Sequence, residues 1–212
     1  VWKGSRPLPR SLDGDSRMVS RALLSLSRGG SDAVHIKEFD LTTGTFVETD
    51  PFHVPEAKTR ISYKSRDVVL VGTDFGPESL TDSGYPRTVR EWVRGTKLED
   101  APVVFEGEKQ DVSVGVYISD ERIWNGGIYE VHYRSLTFYT SKYWVRKLQF
   151  EHLLAPDDPA RAGVSDPPEM VVVNVQDDAT IDFLGNMLII SLRSDWTVAG
   201  TTYKQGSVLV TD

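Results

Sequence analysis

Apolar residues along this chain come in short runs, often alternating with polar ones, broken by Gly, Pro, Asp and Ser. That is the signature of strands and turns; no segment of about ten residues or more shows a helical repeat. The clearest unit is Ser25 to Leu41, SLSRGGSDAVHIKEFDL, which reads as strand, polar loop, strand. Its loop holds Gly29 and Gly30, residues free to take the positive φ of a hairpin turn. Strands are predicted over 22–27, 34–41 and 45–47, then over 60–63, 67–73, 87–94 and 103–105. A further set follows at 112–118, 128–133, 137–148 and 170–175, and a last one at 181–183, 188–192 and 207–210. The stretch 4–16 reads as an irregular lead-in, and the proline-rich, acidic 155–168 as a mobile surface loop.

The pattern repeats. Ile36-Lys37-Glu38-Phe39 matches Val89-Arg90-Glu91-Trp92 in residue type, and Ile190-Ser191-Leu192-Arg193 echoes Leu24-Ser25-Leu26 and Arg28. Taking Ala22, Val68, Ile128 and Met187 as starts of equivalent second strands gives rounds of roughly 46, 60 and 59 residues, the size of four-stranded propeller blades with insertions. The expected fold is all-β: a single partial β-propeller domain over 1–212, with about four blades of four antiparallel strands. Strands sandwiched between blades explain apolar side chains on both faces. An eight-stranded sandwich or barrel is the alternative on pattern alone.

Charge narrows the function classes. Against 24 Lys and Arg stand 31 Asp and Glu, a net −7, with no basic block, which argues against nucleic acid or an anionic membrane as partner. The longest apolar run, around Met170 to Val173, is strand-sized and far below the ~20 residues of a membrane span. The absence of cysteine excludes disulfides and thiol chemistry and leaves the compartment, cytoplasm or periplasm, open. Val1-Trp2-Lys3-Gly4 has neither a start methionine nor a signal pattern, so the sequence is expected to be a piece of something longer.

Candidate chemistry is sparse. Gly29-Gly30-Ser31-Asp32-Ala33 approximates the G-x-S-x-G elbow of serine hydrolases, but Ala33 replaces the last glycine and a strand follows where the elbow needs a helix. Ser31 is therefore expected to be a turn residue. His35, His53, His132 and His152 lack metal-ligand spacing, and Asp13-Gly14-Asp15 and Asp177-Asp178 lack the ligand set of a calcium loop, so no metal or cofactor is expected. The aromatics between Tyr129 and Trp144, including Tyr133, Phe138, Tyr139 and Tyr143, are expected to pack across strands. The loops following the second strands carry Arg28 and Asp32, Asp74 and Arg87, and Arg193, Asp195 and Trp196. Equivalent loops emerge on one rim of a propeller, so these seven residues are the candidates for contact with substrate or another domain. Arginine forks suit carboxylates and peptide termini.

In the stretches 24–41, 70–92 (LVGTDFGPESLTDSGYPRTVREW) and 190–212 (ISLRSDWTVAGTTYKQGSVLVTD) the sequence resembles the β-propeller domain of the prolyl oligopeptidase family of serine peptidases. The resemblance implies part of a seven-bladed propeller that covers the active site of an α/β-hydrolase domain, admitting short peptides and excluding folded proteins. It implies that the catalytic serine, aspartate and histidine lie in that other domain, so this chain carries no catalytic residues. It also implies two partners, the hydrolase domain of the parent chain and short peptides. An arc of four blades leaves open edges, from which self-association is expected. A propeller acting as a non-enzymatic binding module is the alternative function.

Overall fold

The computed structural model describes residues 3–4 and 20–211. Among these there is no α-helix, only strands and short 3-10 turns, and no helix is long and apolar enough to cross a membrane. Among the described residues the strands form five antiparallel sheets, four stacked as blades and one a separate two-stranded hairpin.

Blade I contains β1 (Lys3–Gly4), β2 (Arg21–Leu26) and β3 (Val34–Asp40), with β4 (Thr45–Phe46) and β5 (His53–Ala57) both pairing the far side of β3. Blade II runs in order through β6 (Arg60–Tyr63), β7 (Val68–Gly72), β8 (Thr88–Val93) and β9 (Val103–Glu106). Blade III does the same with β10 (Ser113–Asp120), β11 (Ile128–Ser135), β12 (Ser141–Leu148) and β13 (Val171–Val173). Blade IV joins β14 (Thr180–Leu184), β15 (Met187–Ser191) and β18 (Val208–Thr211). A separate hairpin, β16 (Trp196–Val198) with β17 (Thr201–Tyr203), stands between the last two.

Three apolar cores lie in series between the blades. Leu23, Ile36 and Phe52 of blade I meet Val69, Val71 and Trp92 of blade II. Leu70 and Val89 leave the opposite face of blade II to meet Val114, Val116 and Ile118. Tyr129 and Val131 then leave the far side of blade III to meet Ile181, Ile190 and Leu192. This explains the unbroken apolar run of β7: odd residues face one blade and Leu70 faces the next, so both sides of the strand are dry. The observed architecture is a propeller arc of about four blades, not a sandwich or a closed barrel.

Local departures from the sequence expectation have physical reasons. Gly4 is not lead-in but strand, paired with Leu24; the remainder of that lead-in, with Asp13-Gly14-Asp15, lies outside the described residues. β5 forms despite Pro55 because it is an edge strand and its pairing shifts register where Val34 and Ile36 bracket a bulge. The 137–148 strand begins only at Ser141, since Leu136–Thr140 close a hairpin loop. The loop 155–168 is exposed over much of its length but pinned. His152 Nδ1 accepts the Gln149 amide at 3.0 Å, so its Nε2 carries the proton and donates to the Ser165 carbonyl at 2.9 Å.

The first two blade interfaces also bury charge. Glu38, fully buried on β3, accepts two bonds from Arg94 of blade II at 2.7 and 2.8 Å, the Tyr63 hydroxyl at 2.8 Å and the Phe52 amide at 3.1 Å. Arg94 also donates to Asp67 and lies 4.2 Å from the Phe52 ring centre. Burial works to raise the Glu38 carboxyl, but Arg94 and the other donors outweigh it and hold it below the ordinary range. At the next interface Lys64 pairs with Glu91, and Glu130 takes Nε2 of His132 at 2.5 Å and Arg146 at 2.9 Å. There too burial pushes the Glu130 carboxyl up, while His132, Arg146 and Lys64 bring it down to about 2.

Candidate functional site

The loops that join second to third strands lie along one rim, linked by hydrogen bonds from blade to blade. Tyr85, in the β7–β8 loop, donates its hydroxyl to Asp32 in the β2–β3 loop at 2.6 Å. The same loop reaches blade III, with Asp82 amide to Lys109 carbonyl at 2.7 Å and Thr81 hydroxyl to Val112 carbonyl at 3.1 Å. Val112 in turn bonds Ser135 at the end of β11, and Ser141 at the start of β12 bonds the Asp177 carbonyl. Gln176 closes the series by donating to Ser194 and to the Asp195 carbonyl.

On this rim the seven candidates fall into distinct environments. Arg28 and Arg193 are exposed. Asp32 bridges blades through Tyr85, whose hydroxyl is pushed up chiefly by that bond. Asp74 accepts the Gly76 amide at 2.8 Å and shapes its own loop. Arg87 is held inward by the Glu78 carbonyl at 3.0 Å, the Gly107 carbonyl at 3.1 Å and the Glu106 carboxylate. Asp195 takes Lys204 and the Gln205 amide, both at 2.8 Å, and these bonds lower its carboxyl. Trp196 begins β16 and packs on the core between blades III and IV. The rim thus brings Asp32 together with the loop of Asp74 and Arg87, whereas Arg193, Asp195 and Trp196 group at its other end.

Beside Asp74 a groove of about 470 Å³ opens between blades I and II. One wall is the edge strand β5 with Pro55 and Glu56; the other holds Phe75 and Arg90. The Arg90 guanidinium lies 3.9 Å from the Phe75 ring centre and donates to the Glu99 and Ala101 carbonyls. Sequence reasoning missed this groove because its walls are distant in the chain and Pro55 obscured the strand.

Ser31 is not placed as a nucleophile. Gly29 and Gly30, at φ 64° and 82°, make a turn between strands, and the Ser31 hydroxyl donates to the Ala33 carbonyl at 3.1 Å, with no histidine among its partners. Among the described residues no group of His, Asp or Glu is arranged to hold a metal.

Serial antiparallel blades of three to five strands with a shared loop rim define the chain as a β-propeller segment. No protein-family model matches it. It is 30% identical over 200 residues to an uncharacterized peptidase of Sinorhizobium fredii, covering 90% of this chain and 24% of that protein. It is 27% identical over 118 residues to an uncharacterized peptidase of Rickettsia prowazekii, covering 52% of this chain and 16% of that one. Among solved structures, a post-proline cleaving enzyme from Rickettsia typhi superposes with a TM-score of 0.78 at 21% identity, over 99% of this chain and 28% of that one. Oligopeptidase B from Leishmania major superposes at 0.51 with 10% identity, over 89% and 22%. The chain spans about a quarter of the length of the Sinorhizobium fredii peptidase and of the Rickettsia typhi enzyme. It has the fold of a propeller segment from prolyl-oligopeptidase-type enzymes, and its sequence relatives are peptidases.

Proposed function

We propose that this chain is the propeller portion of a prolyl-oligopeptidase-like serine peptidase, acting as lid and substrate gate over an α/β-hydrolase domain that carries the catalytic triad. The observation that supports this most is the 30% identity to a peptidase across 90% of the chain, joined to a propeller fold that accounts for only a quarter of that relative. In this reading 1–212 is one partial propeller domain that passes short peptides, needs no cofactor, and is inactive by itself. The rim bearing Arg28, Asp32, Asp74, Arg87, Arg193, Asp195 and Trp196 faces the hydrolase domain or the entering peptide.

The two end faces of the arc fit a larger ring. Alternation along β2 turns Ala22 and Leu24 away from blade II, beside Phe39 and the exposed Phe46. At the other end Met187, Val208 and Val210 are exposed. Further blades of the parent chain would cover these faces; in their absence self-association is the expected result.

A serine-directed fluorophosphonate tests the assignment. The full-length parent chain should be labelled at one serine outside residues 1–212 and lose hydrolysis of proline-containing peptides in proportion. Labelling within 1–212, or hydrolysis by the 212-residue chain alone, would overturn it.

A further inference from the structure

The β11–β12 hairpin carries the two most exposed aromatic side chains among the described residues, Phe138 at 81% and Tyr139 at 76%. Other aromatics of the hairpin have partners: Tyr133 lies opposite Tyr143, Trp144 meets Phe105 edge-on, and Tyr129 stacks on Phe183 at 4.1 Å. Phe138 and Tyr139 occupy the loop tip instead.

That tip is tightly tied. The flanking strands are in register up to Ser135 opposite Ser141, and the Leu136 amide donates to the Thr140 carbonyl at 2.9 Å. The Thr137 hydroxyl oxygen accepts the amides of Tyr139 and Thr140, each at 3.1 Å, and sits 2.7 Å from the Thr140 hydroxyl. A loop already ordered by its own bonds loses little freedom on docking, and adjacent aromatics held out from such a loop are the residue type that anchors protein interfaces. The loop also stands on the linked rim, between Ser135, bonded to Val112, and Ser141, bonded to Asp177.

We propose that Phe138 and Tyr139 form a docking prong that seats in an apolar recess on the part of the full-length chain lying outside these 212 residues. This rests on the function proposed above. The occupant follows from the lengths: about three quarters of the Sinorhizobium fredii peptidase and of the Rickettsia typhi enzyme lies beyond the part this chain matches.

Hydroxyl-radical footprinting of the native full-length chain tests it. Trp124, 61% exposed in the loop at the opposite end of β11, serves as internal reference. Phe138 and Tyr139 should oxidise several-fold more slowly than their exposure here implies relative to Trp124, because anchors buried in an interface are shielded from solvent. In a Phe138→Ser/Tyr139→Ser variant, residues outside 1–212 should become newly oxidised while the blade cores stay protected. Rings oxidised in step with Trp124 would overturn the proposal. So would protection that disappears on dilution, which marks a second copy, or protection that arises only on adding a short peptide, which marks substrate. Peptidase activity of the same sample separates the two ideas: an active chain with unprotected rings refutes the prong alone, and an inactive chain with protected rings refutes the functional reading alone.

Discussion

Replacing Arg94 by methionine removes the cation that bridges blades I and II while keeping most of the apolar stem. Glu38 then remains fully buried with the Tyr63 hydroxyl, the Phe52 amide and Arg21, whose nearest nitrogen is 3.3 Å away. Deleting one partner of a buried ion pair costs about 3–5 kcal/mol. Arg21 still compensates in part, and Arg94 is itself 14% exposed, so the lower end, about 3 kcal/mol, is expected. Urea unfolding followed by tryptophan fluorescence measures the loss, Trp92, 5.0 Å from Phe52 in this interface, being one of the five tryptophans that report. With a urea slope of about 2–3 kcal/mol/M the midpoint should fall by roughly 1–1.5 M. A Glu38→Leu/Arg94→Met double variant, which removes the buried carboxylate together with its main cation but leaves Arg21, the Tyr63 hydroxyl and the Phe52 amide without that acceptor, should recover part of the loss. A loss below about 1 kcal/mol for Arg94→Met, or a double variant at least as unstable as the single, would refute the view that this pair locks the two blades.

The second interface should show itself through pH. The folded Glu130 carboxyl lies at about 2 against an ordinary 4.5, so its contribution is complete above about pH 4.5 and is lost as pH falls through about 2. The depression corresponds to about 3 kcal/mol, and Glu130→Gln should flatten the acid limb of stability by that order; an unchanged limb would contradict it. Gly126→Ala would place a Cβ 2.2 Å from the Gly185 carbonyl oxygen, backbone against backbone between blades III and IV. A thermal melt should register a loss of about 2–3 kcal/mol, and a neutral result would mean those loops do not touch. Ser31→Ala should leave peptidase activity of the full-length chain unchanged, because its hydroxyl serves only its own turn; loss of activity with the fold intact would restore the nucleophile reading.

Repetition made the blades legible in the sequence. β7 announces itself because a strand buried on both faces must be apolar throughout, and β2, β11 and β15 begin at Arg21, Ile128 and Met187, beside the residues that the repeat picks out. The match of Glu38 with Glu91 is structural as well: each sits on a third strand opposite a core leucine, Leu23 and Leu70 respectively. What each glutamate pairs with was not legible, since Arg94 lies 56 residues from Glu38 and only blade stacking joins them. The hairpin of β16 and β17 was hidden for a local reason. Its turn uses Ala199 and Gly200 at φ 49° and 79°, and Ala-Gly is a weak turn signal beside Asn-Gly or Asp-Gly. Phe138 and Tyr139 carry strand propensity and so read as strand, but the Thr137 and Thr140 hydroxyls favour a closed loop.

These blades are proposed to belong to a peptidase and to restrict what reaches its active site. The direct measurement is kcat/KM of the full-length parent chain on a short proline-containing peptide and on the same sequence held within a folded protein. Cleavage of the peptide and none of the folded substrate is expected, with the 212-residue chain inactive on both. Comparable cleavage of the two substrates would contradict it.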